Sequence, residues 1–419
     1  MTTFADLKPG DTFVVKKIVP RFQNQFGFWG LENQYLTVTE GNVVKMVNGT
    51  QHLLRLDVWK GEDILKLQAV ELVEPVKATI NPRVVAGMPA RINGSTGTDP
   101  EIFVVRGEKR KSLLPAWKFL PPQKLKVGNT IDWCYRDGFA GEIGVRAEVC
   151  HGYLIDNIRG GLLRVETQAK KYDATAKLTI KNAFPIGKVL MSAGSDEEVA
   201  LGCERSLNAY DDNPILPVDG RTLPVRFAGG HVHLGIHHHD ENPNYFPSVV
   251  KGIDSIAGVA AVALFASFDH PGRRRYYGRA GEYRLPNHGL EYRVLSNGWI
   301  ISPEISHLVL NLVRGGAKIG AAGLADKVAP EDSIRSIINE CDVKAARKYV
   351  NERLDLFHSV LVADGTRTEA FKKAVEGGVE EFFPDDDIPK YWKLHDSSYG
   401  VHSDSMMKSW GALCRKVPS

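Results

Sequence analysis

The stretch Phe227-Ala-Gly-Gly-His-Val-His-Leu-Gly-Ile236 places two histidines on one face of a predicted β-strand. Side chains alternate across a strand, so His231 and His233 point to one side while the apolar residues beside them point to the other. Gly229 and Gly230 precede the histidines, and glycine lets another chain segment or a ligand approach closely. Two imidazoles on one face suit a metal ion or a phosphate-bearing ligand, although one core histidine and one at a strand end would give the same pattern.

Two other predicted strands carry paired polar side chains. Asp99 and Glu101 share a face of a strand that continues into an apolar run, and Glu291 and Arg293 share a face of a third strand. Acidic side chains are costly to bury on a sheet face unless a cation or a base neutralises them. Ordinary solvated faces would also contain Lys, Thr, Ser and Gln. The three strands are therefore predicted to form one joint site.

The segment Tyr135–Ile143 adds two acidic candidates. Asp137 precedes a glycine, which is typical of a hairpin turn, so a role in the turn and a role in the site are both open. Glu142 is the stronger ligand candidate because Gly141 before it permits close approach. The alternating segment Leu162–Glu166 is interpreted instead as a strand with an exposed cross-strand pair.

A basic run, Arg273–Arg284, lies between the histidine strand and the strand that holds Glu291. Guanidinium groups bind phosphate and carboxylate in a bidentate manner and stay charged at working pH. Arg279 and Arg284 are predicted to clamp an anionic ligand, whereas Arg273–Arg275 is predicted to be a solvated cluster from which one residue enters the site. The formal net charge of +3 is too small for a duplex-binding surface.

The order of these motifs resembles the phage-type carboxylate–amine ligases, which are amidoligases of the glutamine synthetase-like fold. The resemblance covers roughly residues 88–320, and its last two motifs are the most specific. One departure is that Ser206 stands where the family has an acidic residue. In chain order the motifs are Gly-Thr-Asp-Pro-Glu-Ile-Phe, Asp-Gly-x-x-x-Glu, Gly-Cys-Glu-x-x-x-Asn-Ala-Tyr, Ala-Gly-Gly-His-Val-His-Leu-Gly, Tyr-Gly-x-Ala-Gly-x-Tyr-Arg and Gly-Leu-Glu-Tyr-Arg-Val-Leu-Ser-Asn.

The resemblance implies an α+β fold in which a curved antiparallel sheet with packed helices surrounds ATP and divalent metal ions. The metal ligands that it implies are Asp99, Glu101, Glu142, His231 and Glu291. The residues expected to be catalytic are Glu101, Glu291, Arg279, Arg284 and Arg293. The residues expected to bind the nucleotide are His231, His233, Arg279 and Asn297.

Three regions are predicted along the chain. Residues 1–85 form a small β-barrel-like domain, residues 86–328 the glutamine synthetase-like catalytic domain, and residues 329–419 a helical lobe packed on it. The strands predicted in the first region are Thr12–Ile18, Phe26–Leu31, Gln34–Thr39, Val43–Val47 and His52–Trp59.

Helices are predicted mainly after residue 245. One apolar helix runs from Pro247 to Phe268, and the next begins with Ser302 as its N-cap and ends at Gly315-Gly316. Asp385–Asp387 is expected to be a solvated loop. The amphipathic helices predicted in the C-terminal lobe are Asp332–Glu340, Ala345–Phe357 and Thr368–Val375.

Composition places the 419-residue chain among globular proteins of two or three domains, with 43% hydrophobic and 25% charged residues. The five cysteines show no Cys-x-x-Cys spacing, and the N-terminus lacks an apolar signal core. We therefore expect a cytoplasmic protein, in the host cytoplasm if it is phage-encoded, with virion association as the alternative. No apolar stretch is expected to reach membrane-spanning length, and neither a membrane nor a nucleic acid is expected as a partner.

The expected reaction uses ATP with Mg²⁺ or Mn²⁺ to convert a carboxylate to an acyl phosphate, from which an amine then displaces phosphate. The amine and carboxylate are small molecules or parts of a peptide, and a homo-oligomer is left open. No Gly-x-x-x-x-Gly-Lys-Ser/Thr motif occurs, which excludes a P-loop nucleotide site. Two alternatives remain, a carboxylate or guanidino phosphotransferase and a virion or assembly protein that retains the ligase fold.

The N-terminal region offers a first test. A truncated protein that starts at Val85 is expected to keep ATP and metal binding, because no cluster of catalytic residue types precedes it, and to lose an oligomer or partner contact. Calorimetry and light scattering on both proteins measure this. A folded truncation that binds no nucleotide would show that the region belongs to the active site, as the small N-terminal domain of glutamine synthetases does.

Overall fold

The structure, a computed structural model, describes residues 95–108, 112–122, 133–149, 151–199, 206–211, 219–236, 243–361 and 365–397, and the backbone of six short strands outside these ranges. Five of these strands form an antiparallel sheet in the order β4-β3-β2-β1-β5. Four confirm predicted strands, β5 was missed, and the predicted strand Phe26–Leu31 lies outside the described residues. The five are β1 (Thr12–Lys17), β2 (Tyr35–Val38), β3 (Val43–Met46), β4 (Gln51–Arg55) and β5 (Ala69–Val73).

The central part of the chain is organised by an eleven-stranded sheet whose pairings are antiparallel. Its main path runs β12-β7-β11-β6-β16-β18-β17-β14, and β8, β9 and β10 attach beside it. A separate two-stranded ribbon joins β13 to β15. The strands are β6 (Thr96–Thr98), β7 (Glu101–Arg106), β8 (Ser112–Leu114), β9 (Val127–Gly128), β10 (Trp133–Asp137), β11 (Ala140–Glu148), β12 (Lys177–Thr179), β13 (Ala183–Pro185), β14 (Leu207–Asn208), β15 (Val225–Phe227), β16 (Val232–Gly235), β17 (Glu282–Arg284) and β18 (Gly289–Tyr292).

Helices of varied length accompany the sheet, so the structure confirms the predicted α+β class. A π-helical segment, Asp254–Gly258, joins α4 to α5, and short 3₁₀ turns include Pro271–Arg275 and Asn297–Ile301. The α-helices are α1 (His151–Tyr172), α2 (Lys188–Ala193), α3 (Asp196–Val199), α4 (Tyr245–Ile253), α5 (Val259–Leu264), α6 (Pro303–Ala321), α7 (Ala325–Val328), α8 (Glu331–Asn339), α9 (Val343–Asn351), α10 (Leu354–Leu361), α11 (Gly365–Gly377) and α12 (Ile388–Tyr391).

The two faces of the large sheet differ in chemistry. Val232 and Leu234 of β16 and Leu290 of β18 belong to the main hydrophobic core, together with apolar residues of α4 and α6. Because side chains alternate along these strands, the intervening histidines and Glu291 occupy the opposite face. The helical layer therefore supports the sheet from behind and leaves one polar face for a site.

The C-terminal helices continue the same core. Buried residues from both sides of the predicted boundary at residue 328 form one cluster. The Trp392 indole N–H donates to the carbonyl oxygen of Ile300 at 2.8 Å, and the Arg159 guanidinium donates to the carbonyl oxygens of Trp392 and Asp396. Helices are observed at all three places predicted in this lobe, although the predicted segment Ala345–Phe357 is divided between α9 and α10.

Helix α6 confirms one end of its prediction and contradicts the other. The Ser302 side chain accepts from the main-chain N–H of Ile305, as expected of an N-cap. The predicted end at Gly315-Gly316 is wrong, because α6 continues to Ala321. A Cβ atom on Gly316 would lie 2.6 Å from the carbonyl oxygen of Gly252, so this glycine permits close packing against α4 instead of ending the helix.

The apolar helical stretch begins at Tyr245, close to its predicted start, and ends before Asp269 as expected. The expectation about its length is wrong, since Tyr245–Leu264 spans 20 residues and is long and apolar enough to cross a membrane. However, 83% of its most apolar window is buried inside the protein, as in a core helix. A second error concerns Leu162–Glu166, which lies within α1 and is not a strand.

The acidic run Asp385–Asp387 was expected to be a solvated loop, but its side chains make structural contacts. Asp386 accepts from the main-chain N–H of Ile180 at 2.9 Å. Asp387 caps α12 by accepting from the main-chain N–H of Lys390. The run is a loop with Asp385 and Asp387 exposed, as predicted, and Asp386 also joins it to the residue that follows β12.

His151, at the start of α1, offers a test of this packing. Its Nδ1 atom lies 3.0 Å from Oδ1 of Asn311, and burial, followed by the charge of Arg314, lowers the pKa of His151 to about 3. The unfolded chain takes up a proton near pH 6.5 that the folded protein does not. The unfolding free energy should therefore fall as pH drops below about 6.5, by up to about 1.4 kcal/mol per pH unit.

Urea unfolding of the wild-type protein and His151→Gln at pH 7.5, 6.5 and 5.5 measures this effect. The variant lacks the titrating ring, so it should lose less unfolding free energy than the wild type toward pH 5.5. Equal pH dependence in the two proteins would contradict a buried neutral imidazole.

Candidate functional site

The register of the large sheet places four positions in one row across neighbouring strands. His233 pairs with Glu291 on one side and with Gly97 on the other, and Glu291 pairs with Arg284. Gly97 has no side chain in this row, and a Cβ there would lie 3.6 Å from Cβ of His233. Strands far apart in sequence thus bring His233, Glu291 and Arg284 to one face. The predicted strand that carries both Asp99 and Glu101 is wrong, because β6 ends at Thr98 and β7 begins at Glu101.

Asp99 lies between the two histidines predicted from the opening stretch. Its Oδ1 is 3.5 Å from Nδ1 of His231, and its Oδ2 is 3.1 Å from Nε2 of His233. Burial opposes ionisation of the carboxyl, but the charge of His233 and hydrogen bonds from both rings lower the pKa of Asp99 well below its ordinary value. Burial lowers the pKa of His233, but the charge of Asp99 and its hydrogen bond outweigh burial, so the pKa of His233 is raised.

Glu291 completes a group of possible metal ligands with Asp99 and His233. One ligand atom from each of these residues lies within 4.8 Å of the others. His231, the histidine expected to be a ligand, also lies 3.5 Å from Glu291 through Nδ1, and its Nε2 is buried without a hydrogen-bond partner. Both histidines thus face the acidic pair, and the choice of ligand stays a prediction.

Two of the predicted arginines make ion pairs with Glu291. Arg284 donates to both carboxylate oxygens at 2.8 and 2.7 Å, and Nε of Arg293 is 3.1 Å from Oε1. Burial raises the pKa of Glu291, but the charge of His231 and the hydrogen bond from Arg284 outweigh burial, so the pKa is lowered. Ser206 accepts from the guanidinium of the buried Arg293 at 2.6 Å, so a neutral hydroxyl stands where the family has a carboxylate.

A second acidic group lies on the neighbouring strands. Glu101 of β7 and Glu142 of β11 are direct cross-strand partners. Desolvation and then the charge of Asp99 raise the pKa of Glu142 well above its ordinary value, and desolvation and then Glu101 raise the pKa of Asp137 to about 7. Within the described residues, no Lys or Arg forms an ion pair with Glu101, Glu142 or Asp137. Asp137 belongs to this group and also ends the strand before the hairpin turn, so both of its predicted roles are compatible.

Two tyrosines that sequence reasoning missed contact these carboxylates. The Tyr135 hydroxyl donates to Glu142, its cross-strand partner, and the Tyr277 hydroxyl donates to Glu101 at 3.3 Å. The main-chain N–H of Gly229 donates to the same Glu101 oxygen at 2.8 Å. A Cβ on Gly229 would lie 2.5 Å from the Tyr277 hydroxyl, so this glycine permits a chain segment to approach. For Tyr135, the available signal was its place two residues before Asp137 on the same strand face.

Asn297 lies behind the acidic groups instead of at an open surface. It is fully buried, and its amide donates to the main-chain carbonyl oxygen of Glu101 at 3.0 Å. The Trp299 indole similarly donates to the carbonyl oxygen of Gly230. These contacts hold the segments that present Glu101 and His231, and nucleotide binding by Asn297 stays a prediction.

Arg279 differs from the other two site arginines. Its side chain is 42% exposed, and its Nε lies 3.5 Å from Oε1 of the buried Glu282 without forming a hydrogen bond. Glu282 also accepts from the main-chain N–H of Gly278, and burial raises the pKa of Glu282. Arg279 is therefore well placed to meet an anion from solution.

The prediction of a solvated cluster at Arg273–Arg275 is wrong for its first two residues. Arg273 and Arg274 are buried, and both pair with Asp269. Each also donates to the carbonyl oxygen of Val294, whereas Arg275 is exposed. The sequence did not indicate this burial, because Asp269 was interpreted only as part of the segment that ends the apolar helix.

The chain matches a known family over part of its length. Residues 219–392 match the family described as Phage phiEco32-like COOH.NH2 ligase-type 2, which supports the family predicted from the motifs. The match contains the histidine, arginine and Glu291 positions and begins after Asp99, Glu101 and Glu142 in the chain. The family name describes a ligase, which supports a ligase-type enzyme. A comparison with curated proteins gives no match.

The buried arginines give a testable contrast. Arg274→Lys keeps the positive charge but loses the planar fork that contacts Asp269 and two carbonyl oxygens, and leaving a buried acceptor without its donor costs about 1–3 kcal/mol. Arg275→Lys, one residue along and exposed, is the matched control and should leave the unfolding free energy within about 0.5 kcal/mol. Chemical denaturation measures both, and equal stability of the two variants would contradict the buried assignment.

Proposed function

We propose that this protein is an ATP- and divalent-metal-dependent ligase that joins a carboxylate to an amine through an acyl phosphate, on a glutamine synthetase-like sheet. The family match supports ligation in general, and the arrangement of charged residues supports the metal and phosphate chemistry. A carboxylate is a poor acyl donor, so its conversion to an acyl phosphate by ATP provides a leaving group that an amine can displace.

The observation that carries the proposal is the facing pair Glu101 and Glu142, with Asp137 close enough to affect their charge. Like charges directly opposite on neighbouring strands are destabilising. Within the described part of the chain, only tyrosine hydroxyls and a main-chain N–H donate to Glu101 and Glu142. Carboxylate oxygens in such a group are the ligands that Mg²⁺ and Mn²⁺ prefer. A bound cation would relieve their mutual repulsion.

The second group fits a cation as well. Asp99, His233 and Glu291 offer two carboxylates and one imidazole, a set compatible with Mn²⁺ or Mg²⁺. Glu101 and Glu142 would hold one ion and this second group another. Bound metal ions supply positive charge that neutralises the phosphate oxygens during phosphoryl transfer.

The three site arginines have different proposed roles. Arg279 has the exposed guanidinium and would contact the phosphates or the substrate carboxylate first. Arg284 and Arg293 orient Glu291, because the hydrogen bonds of Arg284 fix both oxygens of that carboxylate and Arg293 adds a positive charge 3.1 Å from Oε1. Arg284 is 25% exposed and retains access to an anion beside Glu291.

A screen of ATP hydrolysis across amino acids, polyamines and peptides, with Mg²⁺ or Mn²⁺ and mass spectrometry of the products, tests the activity. Ligation predicts an amide product that contains both substrates. An acyl or guanidino phosphate without amine consumption would instead establish the phosphotransferase alternative. No nucleotide binding at all would favour a virion or assembly protein that retains the fold, an alternative to which Ser206 at an expected acidic position also points.

The metal groups are tested separately from turnover. Glu101→Gln and Glu291→Gln each remove one ligand charge but little volume, so each should weaken Mg²⁺-dependent binding of a non-hydrolysable ATP analogue by at least about tenfold. Calorimetry measures the affinity. Glu340→Gln, at an exposed helix end, is the control and should bind as the wild type does. Unchanged affinity in both site variants would refute the proposed metal site.

A further inference from the structure

We infer that the buried carboxyl of Asp254, together with the segment Asn208–Tyr210, is an anchor that positions Arg279 for its anionic ligand. The inference rests on the proposed function, in which Arg279 contacts the nucleotide or the substrate carboxylate. Below, "the Asp254 anchor" means Asp254, Asn208, Tyr210 and Tyr292. None of these four residues faces the acidic groups directly, so they act as positioning residues.

The loop that carries Arg279 has little freedom in shape. Gly278 and Gly281, on either side of Arg279 and Ala280, have φ values of +77° and +83°, in the left-handed region that favours glycine. A Cβ on Gly278 would lie 2.0 Å from the guanidinium of Arg273, and one on Gly281 would lie 2.6 Å from the Tyr210 ring. The loop can therefore reverse direction only with glycine at these two positions, and its neighbours fix where it lies.

Asp254 holds this loop from the helical layer. Its Oδ2 accepts from the main-chain N–H of Gly281 at 2.6 Å, and its Oδ1 accepts from the Tyr292 hydroxyl at 2.5 Å. Tyr210 lies close enough to this carboxyl that burial and then the charge of Asp254 raise the pKa of its hydroxyl well above the ordinary value. Asp254 is fully buried and begins the π-helical segment, a local widening that is frequent at functional sites.

The Asn-Ala-Tyr motif holds the same loop from the edge of the sheet. The Asn208 amide donates to the carbonyl oxygen of Ala280 at 2.9 Å, and the main-chain N–H of Ala209 donates to the carbonyl oxygen of Gly281 at 2.9 Å. The remaining main-chain donor, the N–H of Ala280, bonds Oδ1 of Asn339 on α8. All four main-chain polar groups of Ala280 and Gly281 are thus held from the helices or the strand edge.

The position of Tyr292 explains how the anchor affects the site. Tyr292 lies between Glu291 and Arg293 on β18 and points to the opposite face, into the helical layer. One carboxyl group therefore fixes both the strand that presents Glu291 and the loop that presents Arg279. A buried carboxyl is costly, since desolvation raises the pKa of Asp254 to about 7, and a neutral acceptor would satisfy one N–H at lower cost. A carboxylate has two acceptor oxygens, so Asp254 can hold both the loop of Arg279 and the strand of Glu291, which accounts for an acidic residue at this buried position.

A double-mutant cycle between Asp254→Asn and Arg279→Ala tests the anchor, with Mg²⁺-dependent binding of a non-hydrolysable ATP analogue measured by calorimetry. Asp254→Asn replaces one acceptor oxygen by a donor, so the Arg279 loop should shift and affinity should fall about tenfold. In the Arg279→Ala background the effect of the same substitution should fall to about threefold or less, because only its lost hydrogen bond to Tyr292, on the strand that presents Glu291, can still affect binding.

Tyr349→Phe is the matched control. Its hydroxyl donates to the carbonyl oxygen of Ser255 in the same π-helical segment at 3.0 Å but does not touch the loop, so the variant should bind as the wild type does. If Asp254→Asn does not fold, Asn208→Ala replaces it in the cycle, since it removes the bond to Ala280 from a half-buried edge strand. Thermal unfolding of each variant separates misfolding from loss of binding.

The outcomes distinguish the anchor from the proposed function. If Arg279→Ala weakens binding and the effects of Asp254→Asn and Asn208→Ala simply add to it, the anchor is refuted and the proposed nucleotide contact stands. If Arg279→Ala leaves binding unchanged, the proposed role of Arg279 is refuted, and the anchor with it. An equal loss of binding in Tyr349→Phe would show that the π-helical segment matters only for stability.

Discussion

Glu101 and Glu142 meet across two neighbouring antiparallel strands, and the rest of the site depends on how this pair of like charges is tolerated. Their hydrogen-bond donors within the described residues are neutral, and desolvation, followed by the charges of neighbouring carboxylates, raises the pKa values of Glu142 and Asp137. A sheet can keep such a face only if its other face contributes enough apolar burial, and the helical core behind β16 and β18 does so.

The acidic residues of the sheet differ in whether they have ion-pair partners. Around Glu291 the negative charge is balanced by Arg284, Arg293 and the histidines, whereas no Lys or Arg of the described part of the chain forms an ion pair with Glu101. This asymmetry gives the site one region with fixed, oriented ion pairs and another that favours an added cation. Arg279 has a partly exposed guanidinium beside Glu282, and hydrogen bonds to the main-chain groups of Ala280 and Gly281 hold its loop.

The sequence predicted the features that depend on neighbouring residues. Alternation along a strand is a local property, so the shared faces of His231 and His233 and of Glu291 and Arg293 were readable in advance. The Ser302 cap and the stop at Asp269 are equally local. The burial of Arg273 could not be predicted from neighbouring residues, because Asp269 and the carbonyl oxygen of Val294 contact its guanidinium only in the folded chain. Nothing in the sequence indicated the role of Asp254, because it is a single acidic residue within a predicted apolar helix.

Taken by itself, the sequence determined the α+β class and most of the residues that meet on the polar face, and it indicated a similarity to the carboxylate–amine ligases, because strand periodicity and short motifs depend on consecutive positions. Only the tertiary structure decided which charges are free and which are paired. It showed that Gly316 packs a helix instead of ending one, that Leu162–Glu166 is helical, and that Arg284 pairs with Glu291. The physical reason is that desolvation, ion pairing and close packing depend on groups brought together from distant positions, which no local pattern records.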